Sequence, residues 1–438
     1  MYRFPFGGVD LFDPLSLLPL LLCGVGVAAL IHYRSVLLSP VALFSPLGGK
    51  DKAKKKTTVK TLILALSGTL GVGNITGVAA ALLIGGAGSV FWMLVSTPFA
   101  VALKYAESNA SIRVGEGEGI PGVLKNALGK RSGAWLARIY VLVFLLLALV
   151  LGAAVQGNAI LENTVTYIRV DRAVLSVFLI FSLAIAVFGK TDRIINVLSF
   201  TLPFATIVYI FLCFCVLIAN ASKIPTMIFQ ICTDAFEGVR PGLGGLVGVL
   251  TSNAIREGFS AGILSNEAGA GTSAFAHEYA NNPRRAGAIG ALEVIFDTVF
   301  LCTLSALTFL VGASTDGAGN AADVIERTFR PVFGAAYILP LLISITLLAV
   351  SSNLCYALYA RRALVYARLE KWVIPYMLLF LASTGGGGLC TSTALVTLSH
   401  YLLVVLCALT SIAILASIKK KRSPKESAHP KITKQDKV

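Results

Sequence analysis

Ionisable side chains are scarce in this 438-residue chain: 13% of residues are charged against 56% hydrophobic, and only 22 are Asp or Glu. With a mean hydropathy of +0.80, that balance excludes an ordinary soluble fold and fits an all-α polytopic membrane protein. Histidine is almost missing, and His32, His277 and His400 stand apart from one another, so no metal-ligand cluster is expected. The eight cysteines fall mostly inside apolar stretches with no CxxC pair, which indicates neither a zinc site nor a disulfide framework. There is no HExxH, no nucleophile beside a base and no expected acidic pair at the mid-depth of a span, so a membrane enzyme has no support. The glycine-rich GEGEGIPG at 115–122 has no strand before it and no Gly-Lys-Ser/Thr after it. It reads as a plain loop and not as a phosphate cradle. The first apolar stretch lacks a basic leader and a small-residue cleavage site, and reads as a retained span.

What is present is a series of apolar runs. A membrane-crossing helix needs about 20 apolar residues, and on that measure eleven spans are expected, near 15–38, 61–84, 89–108, 135–168, 173–188, 194–219, 246–265, 286–312, 335–360, 372–384 and 394–418. Assigned alternately to the two sides, 28 Lys and Arg fall on one side and seven on the other (Arg3, Arg169, Arg172, Lys223, Arg240, Arg327, Arg330). The positive-inside rule then puts the N-terminus outside and the C-terminus in the cytoplasm of a plasma (inner) membrane. The +15 net charge is thereby explained by orientation in a lipid bilayer, and no nucleic acid or obligate protein partner is indicated. Short outer-face helices are expected within 220–245 and at 321–333. The basic, polar segment 419–438 is expected to be disordered.

One span is built differently from the rest. LILALSGTLGVGNITGVAAALLI (62–84) is long and apolar, yet it carries Gly68, Gly71, Gly73 and Asn74 at its centre. Each glycine lowers helix propensity by about 1 kcal/mol, so the chain can unwind there and present bare N–H and C=O groups. At membrane depth such groups are tolerated only where they line a cavity or bind something. Half-helix N-termini suit an anionic group and the carbonyl ends suit a cation, which points to a small carboxylate and a monovalent cation. The alternative, a glycine-rich face that lets helices approach closely, is about equally compatible with this stretch alone.

A second irregular span is expected at 246–274, with glycines at 248, 258, 262, 269 and 271 and with Asn253, Arg256 and Glu257 in what should be hydrocarbon. Charges at that depth cost about 2.5–3.5 kcal/mol each, so the span must face protein or water. Two interrupted spans five helices apart suggest a five-plus-five inverted repeat, with the site where the two interruptions meet. The expected organisation is an N-terminal span and basic loop (1–60), a ten-helix core (61–418, halves 61–219 and 246–418) and the tail (419–438).

At GTLGVGNITGVAAALLIGGAGSVFWMLV (68–95) and REGFSAGILSNEAGAGTSAFAHE (256–278) the chain resembles the alanine or glycine:cation symporter family, sodium-coupled carriers of small amino acids. The likeness continues through VQGN (155–158), LPFATIVYI (202–210) and EVIFDTVFLCTLSAL (293–307), and thins out beyond Gly312, though LLAVSSNLCYALYARRAL (347–364) still carries it. The resemblance implies the leucine-transporter-like fold with one additional N-terminal span, and import of alanine or glycine with a sodium ion. It implies that Gly71, Val72, Gly73 and Asn74 hold the substrate carboxylate and sodium through backbone groups, and that Gln156 hydrogen-bonds the substrate. It also implies that Ser351 and Ser352 complete a sodium site against the carbonyls of Ser67 and Leu70, and that Tyr356, in place of a family tryptophan, walls the pocket. On the residues alone, Gln156 also reads as an interhelical hydrogen bond, and back-bonding to their own helix is the preferred reading of the two serines.

The chain departs from the family pattern at Val72 (usually Thr), Ala261 (usually basic), Leu264 (usually Phe) and Ala274 (usually Pro). These changes bear on substrate preference and coupling more than on fold. A proton-coupled carrier working through Asp297 or Glu267, or a carrier of another small solute with the same fold, is the competing function, and Glu267 is expected to shape a turn or gate and to be able to pair with Arg256. A carrier-derived sensor is the remote one.

Overall fold

The computed structural model describes residues 14–44, 52–129, 131–168, 170–189, 191–236, 252–279, 282–313 and 318–419. Among them the structure is all helical. In chain order the helices are α1 (Pro14–Leu37), α2 (Pro40–Phe44), α3 (Lys52–Thr69), α4 (Thr76–Gly85), α5 (Gly88–Arg113), α6 (Gly119–Leu128), α7 (Ser132–Ile168) and α8 (Arg172–Val187). They continue as α9 (Thr191–Ala219), α10 (Ile224–Asp234), α11 (Asn253–Asn266), α12 (Pro283–Gly312), α13 (Ala321–Phe333), α14 (Ile338–Tyr366), α15 (Val373–Gly386) and α16 (Ser392–Lys419).

Eight of the eleven expected spans fall on helices long and apolar enough to cross a membrane. The other three differ for separate reasons. The span at 61–84 is divided into two short apolar helices, Thr58–Thr69 and Thr76–Gly85, and α8 is itself a shorter apolar helix. The seventh span is seen only as α11, because its first part lies outside the described residues, as does the tail beyond Lys419. The short helices expected within 220–245 and at 321–333 appear as α10 and α13.

The element at 115–122 corrects the sequence reading. After a tight turn with Glu116, Gly117 and Gly119 at positive φ, the chain forms the ten-residue helix α6. Its Pro121 sits in the first turn, where the missing N–H is no loss.

The bundle is held by close approach and by caps. α5 packs against α1, α11 and α12, and α14 against α9, α7 and α3. A Cβ at Gly157 would stand 1.9 Å from the Thr384 carbonyl oxygen, so only glycine lets α7 and α15 come so near. Asp171 Oδ1 accepts from Ala173 N (2.9 Å) and Val174 N (3.1 Å) to start α8, and Arg361 donates to Val187 O at the end of α8 (2.8 Å). These satisfy helix-end groups that lipid could not. Phe178, Phe181, Ile185, Phe200, Ile207 and Phe211 on α8 and α9 are exposed, forming an apolar outer face suited to acyl chains.

Candidate functional site

α3 runs through Gly68 and ends at Thr69, so the interruption is narrower than the glycines suggest. Leu70 and Gly71 are irregular, Val72–Asn74 make one 3-10 turn, and α4 begins at Thr76. Gly71 is extended (φ −106°, ψ −158°) and is glycine for reasons of space. A Cβ there would lie 3.0 Å from Gln156 Oε1 and 3.3 Å from Ser352 Cβ. Val72 N donates to Gln156 Oε1 at 3.3 Å.

Gln156 is placed by a feature the sequence reading missed. α7 passes through a π-helical stretch, Ala148–Val155, and the Gln156 amide reaches back to Leu151 O (3.3 Å), a carbonyl five residues earlier. α12 repeats the device: Ile295–Cys302 is π-helical, and Thr303 Oγ1 donates to Thr298 O (3.0 Å). π-stretches recur at functional sites because they re-aim side chains and leave carbonyls out of register. The one available signal was a polar residue, Gln156 or Asp297, inside each apolar run.

The two serines expected at a sodium site diverge, as consecutive helical residues about 100° apart must. Ser352 Oγ donates to Gly68 O (3.3 Å), while Ser351 Oγ pairs with Thr201 Oγ1 of α9 (3.0 Å). Ser67 Oγ bonds back to Ile63 O (2.7 Å), and Leu70 N completes the last turn on Leu66 O (2.7 Å). Gly68 therefore joins the expected Ser67, Leu70 and Ser352 as an oxygen carrier beside the interruption, while the Ser351 hydroxyl turns to Thr201. Tyr356, one turn beyond Ser352, is fully buried. Its ring fills the space left by Gly152, and its hydroxyl donates to Glu267 Oε1.

Asn74 joins the first interruption to α11 and α12. Its amide nitrogen lies 2.6 Å from Asp297 Oδ1 and 3.1 Å from Ser265 Oγ. Ser265 Oγ donates to Asp297 (2.8 Å), and so does Thr298 Oγ1 (3.0 Å). Asp297 thus makes polar contacts to the neighbouring elements. Asn74 Oδ1 is buried with no partner among the described residues, an acceptor left unused.

The second interruption falls at the end of the expected 246–274. α11 runs unbroken through Gly258 and Gly262, whose missing Cβ atoms admit Ser89 O and Ser96 Oγ of α5. The chain leaves the helix at Glu267, which is left-handed (φ 53°), and Gly269 and Gly271 follow at φ 86° and 75°. Glu267 forms that turn.

Below this turn sits a charged group that the sequence reading did not foresee. Lys104, expected among the loop charges, is fully buried, as are Glu107 and Glu293. Lys104 Nζ stands 3.2 Å from Glu293 Oε1, 3.5 Å from Glu107 Oε1 and 2.5 Å from Ser273 Oγ. The sequence reading concerned acidic pairs at the mid-depth of a span; here the packing of α5 on α12 brings Glu107 and Glu293, far apart in the chain, to the same Lys104 ammonium.

A helical bundle with apolar outer faces and an interrupted helix at its centre defines a multi-pass membrane protein. The profile of the sodium:alanine symporter family matches residues 11–435, and the chain belongs to that family, whose members are transporters and not enzymes. The sodium/proton-dependent alanine carrier protein of Bacillus sp. (strain PS3) is 28% identical over 398 residues, 85% of this chain and 87% of that protein. The sodium/alanine symporter AgcS of Methanococcus maripaludis is 28% identical over 317 residues, 68% of each chain. A Na+-coupled sialic acid symporter in a substrate-bound outward-open state superposes with a TM-score of 0.49 at 13% identity, covering 91% of this chain and 82% of that one, a likeness too distant to build on.

Proposed function

We propose that this protein is a secondary active transporter that imports a small neutral amino acid, alanine or glycine, together with sodium as its coupling ion. The observation that carries this reading is the buried interruption at Leu70–Asn74, facing Gln156 and Ser352. An amino-acid carboxylate at that point would take the Val72 N–H now held by Gln156, in the way half-helix termini hold anionic groups. Gly71, Gly73 and Asn74 would frame it, Gln156 would turn its amide to the substrate, and Tyr356 would close the far wall. Sodium, as co-substrate, would take oxygens from the carbonyls at Ser67 and Leu70 and from the hydroxyls of Ser351 and Ser352. This donor set is neutral, and so avoids burying a full charge.

The two interrupted segments touch through Asn74 and Ser265, which supports reading 61–219 and 246–418 as inverted halves of a leucine-transporter-like core, with α1 outside the repeat. In the plasma membrane the N-terminus would face out and the C-terminus the cytoplasm. A reporter after Lys56 or at the C-terminus should read cytoplasmic, and one near Asp316, outside the described residues, external; any other pattern breaks the repeat assignment. The function is tested in proteoliposomes with radiolabelled alanine, glycine and serine under imposed sodium or proton gradients. Concentrative alanine or glycine uptake that needs inward sodium is the expected result. Uptake driven by a proton gradient alone would overturn sodium coupling.

A further inference from the structure

We propose that Glu293 is a proton-exchange site of this carrier, separate from the interrupted helices and built from the buried group around Lys104; its part in the transport cycle rests on the function proposed above. Lys104, Glu107, Glu267 and Glu293 are all buried, which sets one ammonium against three carboxyls. Two of the three carboxyls have donors of their own. Glu107 Oε2 accepts from Gly271 N at 3.1 Å, while its Oε1 is buried without a hydrogen-bond partner among the described residues, and Glu267 accepts from the Tyr356 hydroxyl. Glu293 has the ammonium 3.2 Å from Oε1, but its Oε2 is buried without any hydrogen-bond partner among the described residues. A bare carboxylate oxygen in that position keeps the full cost of leaving water. A proton on Glu293 removes that cost and the surplus negative charge together. A metal ion would need converging ligands, and among the described residues no group of three His, Cys, Asp or Glu is placed to hold one.

Among the described residues, Lys104 is the one cation paired with Glu293. From α5 it meets Lys104 and Glu107, and from the segment after α11, Glu267. From α14, Tyr359 and Cys355 lie alongside, both engaged on Leu64 O of α3, while Arg362 further along donates to Phe275 O. From α7, Tyr140 donates to Ala270 O, and Cys407 of α16 lies beside Glu107 and Lys104. Asp297, on the same helix, belongs to the Asn74 network.

The placement couples this proton to the substrate site. Gly271 and Ser273, which hold Glu107 and Lys104, belong to the segment that leaves α11. The last residues of α11, Ser265 and Asn266, are bonded to Asp297 and Thr298. A shift of that segment releases Lys104 from Ser273 and lets it pair fully with Glu293. The O–H bond of Glu293 then breaks, the proton passes to water, and the carboxylate keeps the electron pair against the ammonium, with no redox partner needed.

The test is difference infrared spectroscopy on the full-length protein in lipid, grown with isotope-labelled glutamate so that its carboxylic C=O band is separated from that of Asp297. The expected result is a labelled band at neutral pH that falls as pH is raised, is lost in Glu293→Gln, and persists in Glu107→Gln and Glu267→Gln. Absence of the band from the parent, persistence in Glu293→Gln, or loss in either other variant alone overturns the assignment. Should Glu293→Gln fail to fold, the parent and the other two variants still decide it. L-alanine with sodium is expected to shift the band. A band that answers to pH but not to alanine counts against the substrate reading and leaves the proton site standing.

Discussion

The chain comes undone twice near the centre of the molecule, and the two places are built on different physics. At Leu70–Ile75 the backbone stays at negative φ, and glycine is required because Gln156 and Ser352 crowd Gly71. At Glu267–Thr272 the backbone goes left-handed three times, and glycine is required at two of those positions by conformation as well as by space. The first interruption is bordered at Leu70–Gly73 by neutral groups, an amide and hydroxyls, and meets one carboxyl, Asp297, through Asn74; the second rests on three carboxyls and an ammonium. A neutral, crowded interruption is suited to exchanging small ligands at little cost in refolding. A left-handed loop pinned to buried charges is suited to holding one arrangement until the charges are rebalanced.

The contrast is most sharply broken by two alanine substitutions with opposite readouts. In Gly271→Ala the new Cβ would stand 2.4 Å from Ile120 Cγ1, at φ 75°. The left-handed cost is about 1–2 kcal/mol and overpacking adds roughly 1–3 kcal/mol. This variant should lose folded protein, seen as a clear fall in thermal melting temperature in detergent. Gly71→Ala meets the Gln156 side-chain tip at 3.0 Å, which can move. It should melt near the parent and lose alanine binding. Equal destabilisation of the two would erase the distinction between them.

Gln156→Ala addresses the neutral interruption directly. Losing one hydrogen bond to a charged carboxylate should cost about 1.5–3 kcal/mol, a roughly ten- to hundredfold weaker affinity for alanine, with sodium binding largely kept. If calorimetric titration gave the parent's affinity, Gln156 would be a helix-packing amide satisfied by Leu151 O and nothing more.

How much of this was legible follows from the same contrast. Apolar run length placed the spans, because burying twenty consecutive apolar residues leaves few other solutions. The first interruption was legible because Gly71, Gly73 and Asn74 cluster in an otherwise apolar run, although close helix approach fitted the same glycines about as well. Gly258 and Gly262 misled, since a glycine that admits Ser89 O looks the same in sequence as one that unwinds a helix. The π-stretches at 148–155 and 295–302 leave no periodic trace in uniformly apolar sequence, and only Gln156 and Asp297 marked them. Lys104 was hidden by its position near the end of an apolar run, where a basic residue reads as an orientation signal. Its partners Glu107 and Glu293 meet it only through the packing of α5 on α12.

The smallest expected effect separates two adjacent hydroxyls. Ser352 Oγ faces Gly68 O at the end of α3, whereas Ser351 Oγ faces Thr201 across α9. If sodium takes its oxygens from the end of α3, Ser352 is the nearer ligand and Ser351 contributes through Thr201 at most. Ser352→Ala should therefore raise the sodium concentration needed for half-maximal uptake several-fold, in line with about 1 kcal/mol for one neutral oxygen ligand. The alanine requirement should move less. Ser351→Ala should change the sodium requirement less than Ser352→Ala, and the double variant should exceed either. The helix itself should survive, since alanine is the better helix former. Sodium activation curves at fixed alanine read the difference. Equal effects of the two single variants would mean that both hydroxyls turn to the ion together, and an unchanged sodium requirement in the double variant would remove the ion from this end of α3.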